Sequence, residues 1–238
     1  MSKSRVSNPV FVALDTPDLE RALATAQAVR PYVGGLKIGL EFIAACGPEG
    51  VRRIVATGLP VFADVKFHDI PNTVAAASRE LARLGAKMFN IHTSGGERMM
   101  RDAADAARSV DPDVKVLGVT VLTSLDDAVV ESVGQRGPAA EQVMRLACLA
   151  KTASLDGVVC SAHEVAVLRK ALGPDFLLVV PGIRPAGAAL ADQKRVMTPA
   201  EAHGAGADIL VVGRPITAAA DPAQAARAIA GELAGTMV

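Results

Sequence analysis

Short apolar runs recur along the chain, separated by stretches in which apolar residues return every three or four positions. The runs cover residues 10–15, 35–39, 60–67, 86–92, 115–122, 157–161, 176–183 and 207–216. Bounded by Gly, Pro, Asn and Asp, they predict strands. The intervening stretches at 18–30, 72–84, 96–109, 138–154, 162–171 and 221–233 predict helices, with a short one at 126–133. Strand–helix alternation implies parallel strands with right-handed crossovers. Nearly continuous apolar strands imply burial on both faces. Eight such units in 238 residues favour a closed (β/α)8 TIM barrel over an open doubly wound sheet. No linker or low-complexity segment divides the chain, so residues 1–238 are expected to form one domain. The longest loop candidates, 134–138 and 185–197, follow strands and so fall on the face where such barrels place their chemistry.

Composition narrows the picture. Half the residues are hydrophobic but only 3% are aromatic and Trp is absent, so the core must be built from Ala, Val, Leu and Ile. The 25 basic residues balance 25 acidic ones, and no basic block points to nucleic acid. No apolar run reaches the 18 residues of a membrane span. The first nine residues are polar, without a signal-peptide core, and a cytoplasmic location is expected. Cys46, Cys148 and Cys160 are scattered and lack metal spacing, so they read as reduced small hydrophobes.

Polar residues gather where these strands end. Asp15 closes the first, Lys37 lies near the end of the second, and His92 closes the fourth. Thr120 and Thr123 end the fifth, Arg184 follows the seventh, and Gly213-Arg214 close the eighth. In a barrel these ends converge on one mouth. The third strand is the most informative, reading Phe62-Ala63-Asp64-Val65-Lys66-Phe67-His68-Asp69-Ile70-Pro71-Asn72-Thr73. Asp64 and Lys66 are two apart and share a face, roughly 7 Å apart along the backbone. Buried charges are costly unless they pair or do chemistry.

Each residue has a plainer reading. Asp15 stands before Thr16-Pro17-Asp18 and could serve helix entry. Lys37 alone reads as a strand-end lysine reaching for solvent, and Asp64 with Lys66 as a structural ion pair. His92 reads as structural, and His68, His163 and His203 as surface or packing residues. Asp15, Asp64 and Asp69 are a conceivable Mg²⁺ set, but the interleaved lysines would repel a cation, which favours an alternating charge network without metal. At the other side of the mouth, Arg184 and Arg214 with the Gly213 amide suit a phosphate dianion, against the plainer reading of two surface arginines.

Taken together these residues resemble the orotidine 5′-phosphate decarboxylase family. The resemblance covers nearly the whole chain. It runs from Val10-Phe11-Val12-Ala13-Leu14-Asp15 through Leu36-Lys37-Ile38-Gly39, the Asp64–Thr73 string, Asn90-Ile91-His92 and Val121-Leu122-Thr123-Ser124. It continues to Val180-Pro181-Gly182-Ile183-Arg184-Pro185, Asp192-Gln193-Lys194-Arg195-Val196 and Gly213-Arg214-Pro215-Ile216. The Asp-x-Lys-x-x-Asp-Ile-Pro-Asn-Thr string is its most specific part, since Asp-x-Lys alone also occurs in related sugar-phosphate enzymes. The resemblance implies that Lys66 donates a proton to C6 of the pyrimidine beside Asp64, with Lys37 and Asp69 completing an alternating array. It implies a homodimer in which Asp69 and Thr73 reach the partner's site. Asp15 and Lys37 would hold ribose hydroxyls, Thr123 the pyrimidine edge, and Gln193, Arg184, Gly213 and Arg214 the phosphate. No cofactor is implied. Two other readings stay open: a metal-dependent sugar-phosphate decarboxylase or synthase on the same barrel, and a non-catalytic sensor of a phosphorylated ligand.

Overall fold

The computed structural model of the chain describes residues 8–185 and 197–235. Its parallel strands close into a barrel in chain order: β1 (Val10–Ala13), β2 (Gly35–Ile38), β3 (Val61–Phe67), β4 (Met88–His92), β5 (Lys115–Val119), β6 (Gly157–Val159), β7 (Leu177–Val180) and β8 (Ile209–Val212). β8 pairs back onto β1, with Val10 opposite Leu210 and Val12 opposite Val212. The expected (β/α)8 barrel is thus the observed fold.

The helices form the outer ring: α1 (Leu19–Val29), α2 (Leu40–Val55), α3 (Pro71–Arg83), α4 (Glu97–Arg108), α5 (Asp127–Ser132), α6 (Ala139–Thr152), α7 (Val165–Leu172), α8 (Pro199–Gly204), α9 (Arg214–Thr217) and α10 (Pro222–Ala234). Local chemistry sets their ends. Asp18, Asp126 and Asp221 each cap a helix by accepting a backbone N–H three residues on, satisfying donors that the first turn leaves open. Thr198 and Glu201 form a reciprocal capping box on α8. α2 is interrupted at Gly47, whose φ of 60° breaks the helix just before Pro48.

Two differences from the sequence reading have the same cause. The run 207–216 is strand only to Val212, and Gly213 then opens the helical turn α9. The run 115–122 leaves the ladder at Val119. An apolar run reports burial, and a buried segment past the last ladder pair looks like strand.

Two apolar layers follow. The larger packs between strands and helices. The smaller fills the barrel itself with Phe11, Ala13, Phe62, Met88, Leu117, Val179, Ile209 and Val211. Gly35 makes room for it, since a Cβ there would lie 2.3 Å from the Phe11 ring. Side chains alternate along a strand, so the positions two after these inward residues also face inward. On β3, Phe62 is followed by Asp64; on β4, Met88 is followed by Asn90 and His92. The barrel interior is therefore apolar below and polar at the mouth.

The opposite, N-terminal rim carries its own charges. Asp156 accepts from Arg108 and from the Val116 N–H, both at 2.9 Å, with the Lys115 ammonium 3.5 Å away. Asp208 pairs with Arg169 and accepts the Leu178 N–H at 2.7 Å. Each carboxylate thereby ties a strand start to a neighbouring helix.

Candidate active site

At the C-terminal ends of the strands a cavity of about 420 Å³ opens, lined by Asp15, Lys37, Asp64, Lys66, Thr123, Arg184, Gly213 and Arg214, with Val119, Val121, Leu122, Pro181 and Val211 as its apolar wall. Eight residues singled out from the sequence thus meet in one place.

Asp15 is available to the cavity because the neighbouring Asp18, not Asp15, caps α1. Its Oδ1 instead accepts from Lys37 Nζ at 2.6 Å. Lys37 does not reach for solvent: it is only 7% exposed and stands 3.7 Å from Asp64 Oδ2. Lys66 Nζ donates to Asp64 Oδ1 at 2.5 Å. The result is a continuous row, Asp15–Lys37–Asp64–Lys66, in which the signs alternate. The Lys37 ammonium stands between the two carboxylates. Burial alone would raise the Asp64 carboxyl. The Lys37 and Lys66 ammoniums, with hydrogen bonds from Lys66 and Asn90, outweigh it and hold the group below the usual carboxylate value.

Lys66 has an unusual backbone. Its φ is +50°, in the left-handed region that side chains other than glycine seldom enter, and the β3–β4 register shifts between Ala63 and Phe67. Such a conformation costs about 1–3 kcal/mol and must be held by its surroundings. Asn90 supplies part of that hold by accepting the Lys66 N–H at 2.8 Å and donating to Asp64 at 2.7 Å. Reading the sequence assigned Asn90 no role. The signal was there, since Met88 faces inward and a residue two further on must do so too.

Across the cavity Arg184 is buried, and among the described residues its Nε has no hydrogen-bond partner. Burial, and then the Arg214 charge, lower its pKa. A desolvated guanidinium beside a second one is a place prepared for an anion. Gly213 precedes Arg214 and opens α9. The Arg184 N–H donates to the Met197 carbonyl at 3.1 Å. Gln193 lies outside the described residues.

Two expected site residues are not brought into this cavity by their own chain. Asp69 lies past the end of β3, accepts the Ile70 N–H at 2.6 Å, and borders a separate open depression with His68, Ile70, Pro71, Ser94 and Gly95. Thr73 is exposed in the first turn of α3. His92 and His68 sit at the same edge, ring centroids 5.5 Å apart.

Comparison with known proteins finds clear relatives. Residues 8–229 match the family described as orotidine 5′-phosphate decarboxylase / HUMPS. The chain is 53% identical over 232 residues to the orotidine 5′-phosphate decarboxylase of Paramagnetospirillum magneticum, covering 95% of this chain and 98% of that one. It is 55% identical over 227 residues to the enzyme of the same name from Anaeromyxobacter dehalogenans, covering 95% and 99%. The crystal structure of orotidine 5′-phosphate decarboxylase from Lactobacillus acidophilus superposes with a TM-score of 0.85 at 39% identity, over 95% of this chain and 99% of that one.

Proposed function

Because the chain belongs to the orotidine 5′-phosphate decarboxylase / HUMPS family, we propose that it decarboxylates orotidine 5′-phosphate to UMP and CO₂ in pyrimidine biosynthesis, as a single barrel domain without metal or cofactor. The observation that carries this reading is the alternating row Asp15–Lys37–Asp64–Lys66 facing two arginines across one cavity.

The chemistry follows from the charges. When the bond from C6 to the carboxylate breaks, CO₂ leaves and the electron pair stays on C6. The Lys66 ammonium is the cation best placed to stabilise that pair, and it then gives C6 a proton. The resulting amine recovers its proton from solvent. Asp64, itself held by Lys37, positions Lys66, and Lys37 with Asp15 meets the ribose hydroxyls. Thr123 reads the pyrimidine edge. Arg184, Arg214, the Gly213 amide and Gln193 take the phosphate, whose binding energy is remote from C6 and available for ordering the site.

Asp69 and Thr73 fit this scheme as contributions to the site of a second subunit. Asp69 borders a depression separate from its own cavity, and Pro71 opens α3 two residues on. The working unit is then a homodimer. Three scattered free cysteines fit a reducing, cytoplasmic setting.

The test is ultraviolet monitoring of orotidine 5′-phosphate with purified protein and EDTA. Steady loss of substrate with UMP as product is expected. Turnover that requires added Mg²⁺ would overturn the metal-free scheme, and no turnover would overturn the function. For the dimer, Lys66→Ala and Asp69→Asn proteins are mixed under conditions of proven subunit exchange. Activity should return, because in a mixed dimer one site carries both lesions and the other neither. No recovery would place Asp69 within its own chain's site.

A further inference from the structure

We infer that Asn90 is a positioning residue for the reaction, clamping the backbone of Lys66 and the carboxylate of Asp64 with the two ends of one amide. The inference rests on the decarboxylase reading for its catalytic meaning, and on geometry alone for the clamp.

A buried backbone N–H needs an acceptor. On β3 the regular partner is lost, because the register with β4 shifts between Ala63 and Phe67 and Lys66 turns to a φ of +50°. The Asn90 Oδ1 takes the place of that partner at 2.8 Å. Its Nδ2 donates to Asp64 Oδ1 at 2.7 Å, the same oxygen that receives Lys66 Nζ at 2.5 Å. The amide's orientation is fixed by chemistry, since only its carbonyl end can accept an N–H and only its NH₂ end can donate to a carboxylate. Asn90 is fully buried, so water has no room to replace either bond.

Two consequences follow. The amide sets Asp64 so that Oδ1 meets Lys66 while Oδ2 turns to Lys37. It also holds Lys66 in a conformation its own backbone disfavours. Asn is the fitting residue here: Asp would oppose Asp64 with a second carboxylate, Gln is one methylene longer, and an apolar residue leaves the Lys66 N–H unpaired. The titratable groups that face Asp64 are Lys37 from β2, Lys66 from β3 and His92 from β4, with Asp15 behind Lys37.

The experiment compares Asn90→Leu, Asn90→Ala and Asn90→Asp with wild type. A reacting group displaced by about an ångström costs on the order of 10²-fold. Leu and Ala should therefore lower kcat about 10–100-fold, with KM and UMP affinity within about threefold of wild type, since neither touches the phosphate grip. Asn90→Asp is the sharper probe. Two neighbouring carboxylates share a proton at low pH, and a protonated Asp would restore both ends of the clamp. Its kcat relative to wild type should rise as pH falls from 8 to 5. Packing alone would not produce that rise. A second readout needs no turnover: ¹³C titration of the Asp64 carboxyl, assigned with Asp64→Asn, should move to higher pH in Asn90→Leu.

Wild-type kcat in Asn90→Leu would overturn the inference and leave the decarboxylase reading intact. So would a pH-independent ratio for Asn90→Asp. If wild type itself does not turn over orotidine 5′-phosphate, the functional reading fails and the titration alone decides the clamp: an unmoved Asp64 midpoint overturns it. Should the Leu and Ala variants not fold, the Asp variant's pH ratio decides.

Discussion

Both ends of this barrel bury charge, but they do so differently. At the N-terminal rim, Asp156 and Asp208 each meet a guanidinium and a backbone N–H. Those charges are complete within the chain and pin strand starts to helices. At the C-terminal mouth, four cations, Lys37, Lys66, Arg184 and Arg214, line the cavity against two carboxylates, Asp15 and Asp64. The Lys66 backbone is strained, and a buried Arg184 nitrogen has no partner among the described residues. The surplus is positive, which suits a substrate carrying a phosphate and a carboxylate. The rim charges answer the fold's needs. The mouth charges line a cavity open to a ligand, with the apolar plug beneath them.

The comparison breaks most sharply if a lesion at each end is measured by both activity and stability. Lys66→Ala should lose at least about 10³-fold in kcat, because in the proposed scheme it removes the proton donor and the nearest cation to C6. It should melt near the wild-type temperature, because Lys37 and Asn90 still partner Asp64. Asp156→Ala should do the reverse. Its carboxylate is 5% exposed, and removing it strands the Val116 N–H and leaves Arg108 only the Ser154 carbonyl among the described residues, a loss of about 3 kcal/mol. At roughly 2–4 °C per kcal/mol, that is a clear fall in Tm with kcat per folded molecule unchanged. A Lys66→Ala protein that keeps a tenth of the wild-type rate, or an Asp156→Ala protein whose kcat collapses at full stability, would dissolve the division.

Within the mouth, Arg214→Ala sharpens the claim that the surplus is meant for an anion. A charge-assisted contact is worth about 1.5–3 kcal/mol, so kcat/KM for orotidine 5′-phosphate should fall on the order of 10–100-fold. Orotidine lacks the phosphate, so wild type and variant should process it almost equally slowly. An equal loss on both substrates would make Arg214 structural.

The sequence disclosed the rim and the mouth to different degrees, for physical reasons. Strand ends and the alternation of elements place Asp15, Lys37, Asp64, Lys66, Arg184 and Arg214 at one mouth, because a parallel barrel leaves no other destination for them. The choice between capping and chemistry for Asp15 needed the structure, which gives the cap to Asp18. So did the fate of Lys37, since a strand-end lysine can reach water or a carboxylate equally well. The left-handed Lys66 was invisible, because a register shift depends on the neighbouring strand. The rim clamps were passed over too: Asp156 and Asp208 look like ordinary turn residues before a strand until Arg108 and Arg169 are seen to reach them across long sequence separations.

The smallest effect concerns His92, which sits where the mouth chemistry meets the structural barrel. Burial lowers its pKa first, then the positive surroundings of His68 and Lys66, with Asp64 opposing. The folded value therefore lies below the unfolded one, near 6.5. A group depressed on folding contributes stability that is present above its unfolded pKa and lost as pH falls toward the folded value. Wild-type Tm should accordingly decline as pH is lowered from 7 to 5, by less than the Asp156→Ala lesion causes, and His92→Gln should flatten that slope. Asp64, held below the usual carboxylate value, adds its own loss only at more acid pH, so the two are separable by window. The measurement is Tm against pH for both proteins. If His92→Gln falls as steeply as wild type between pH 7 and 5, then the neutral imidazole at the mouth is not what this fold protects there.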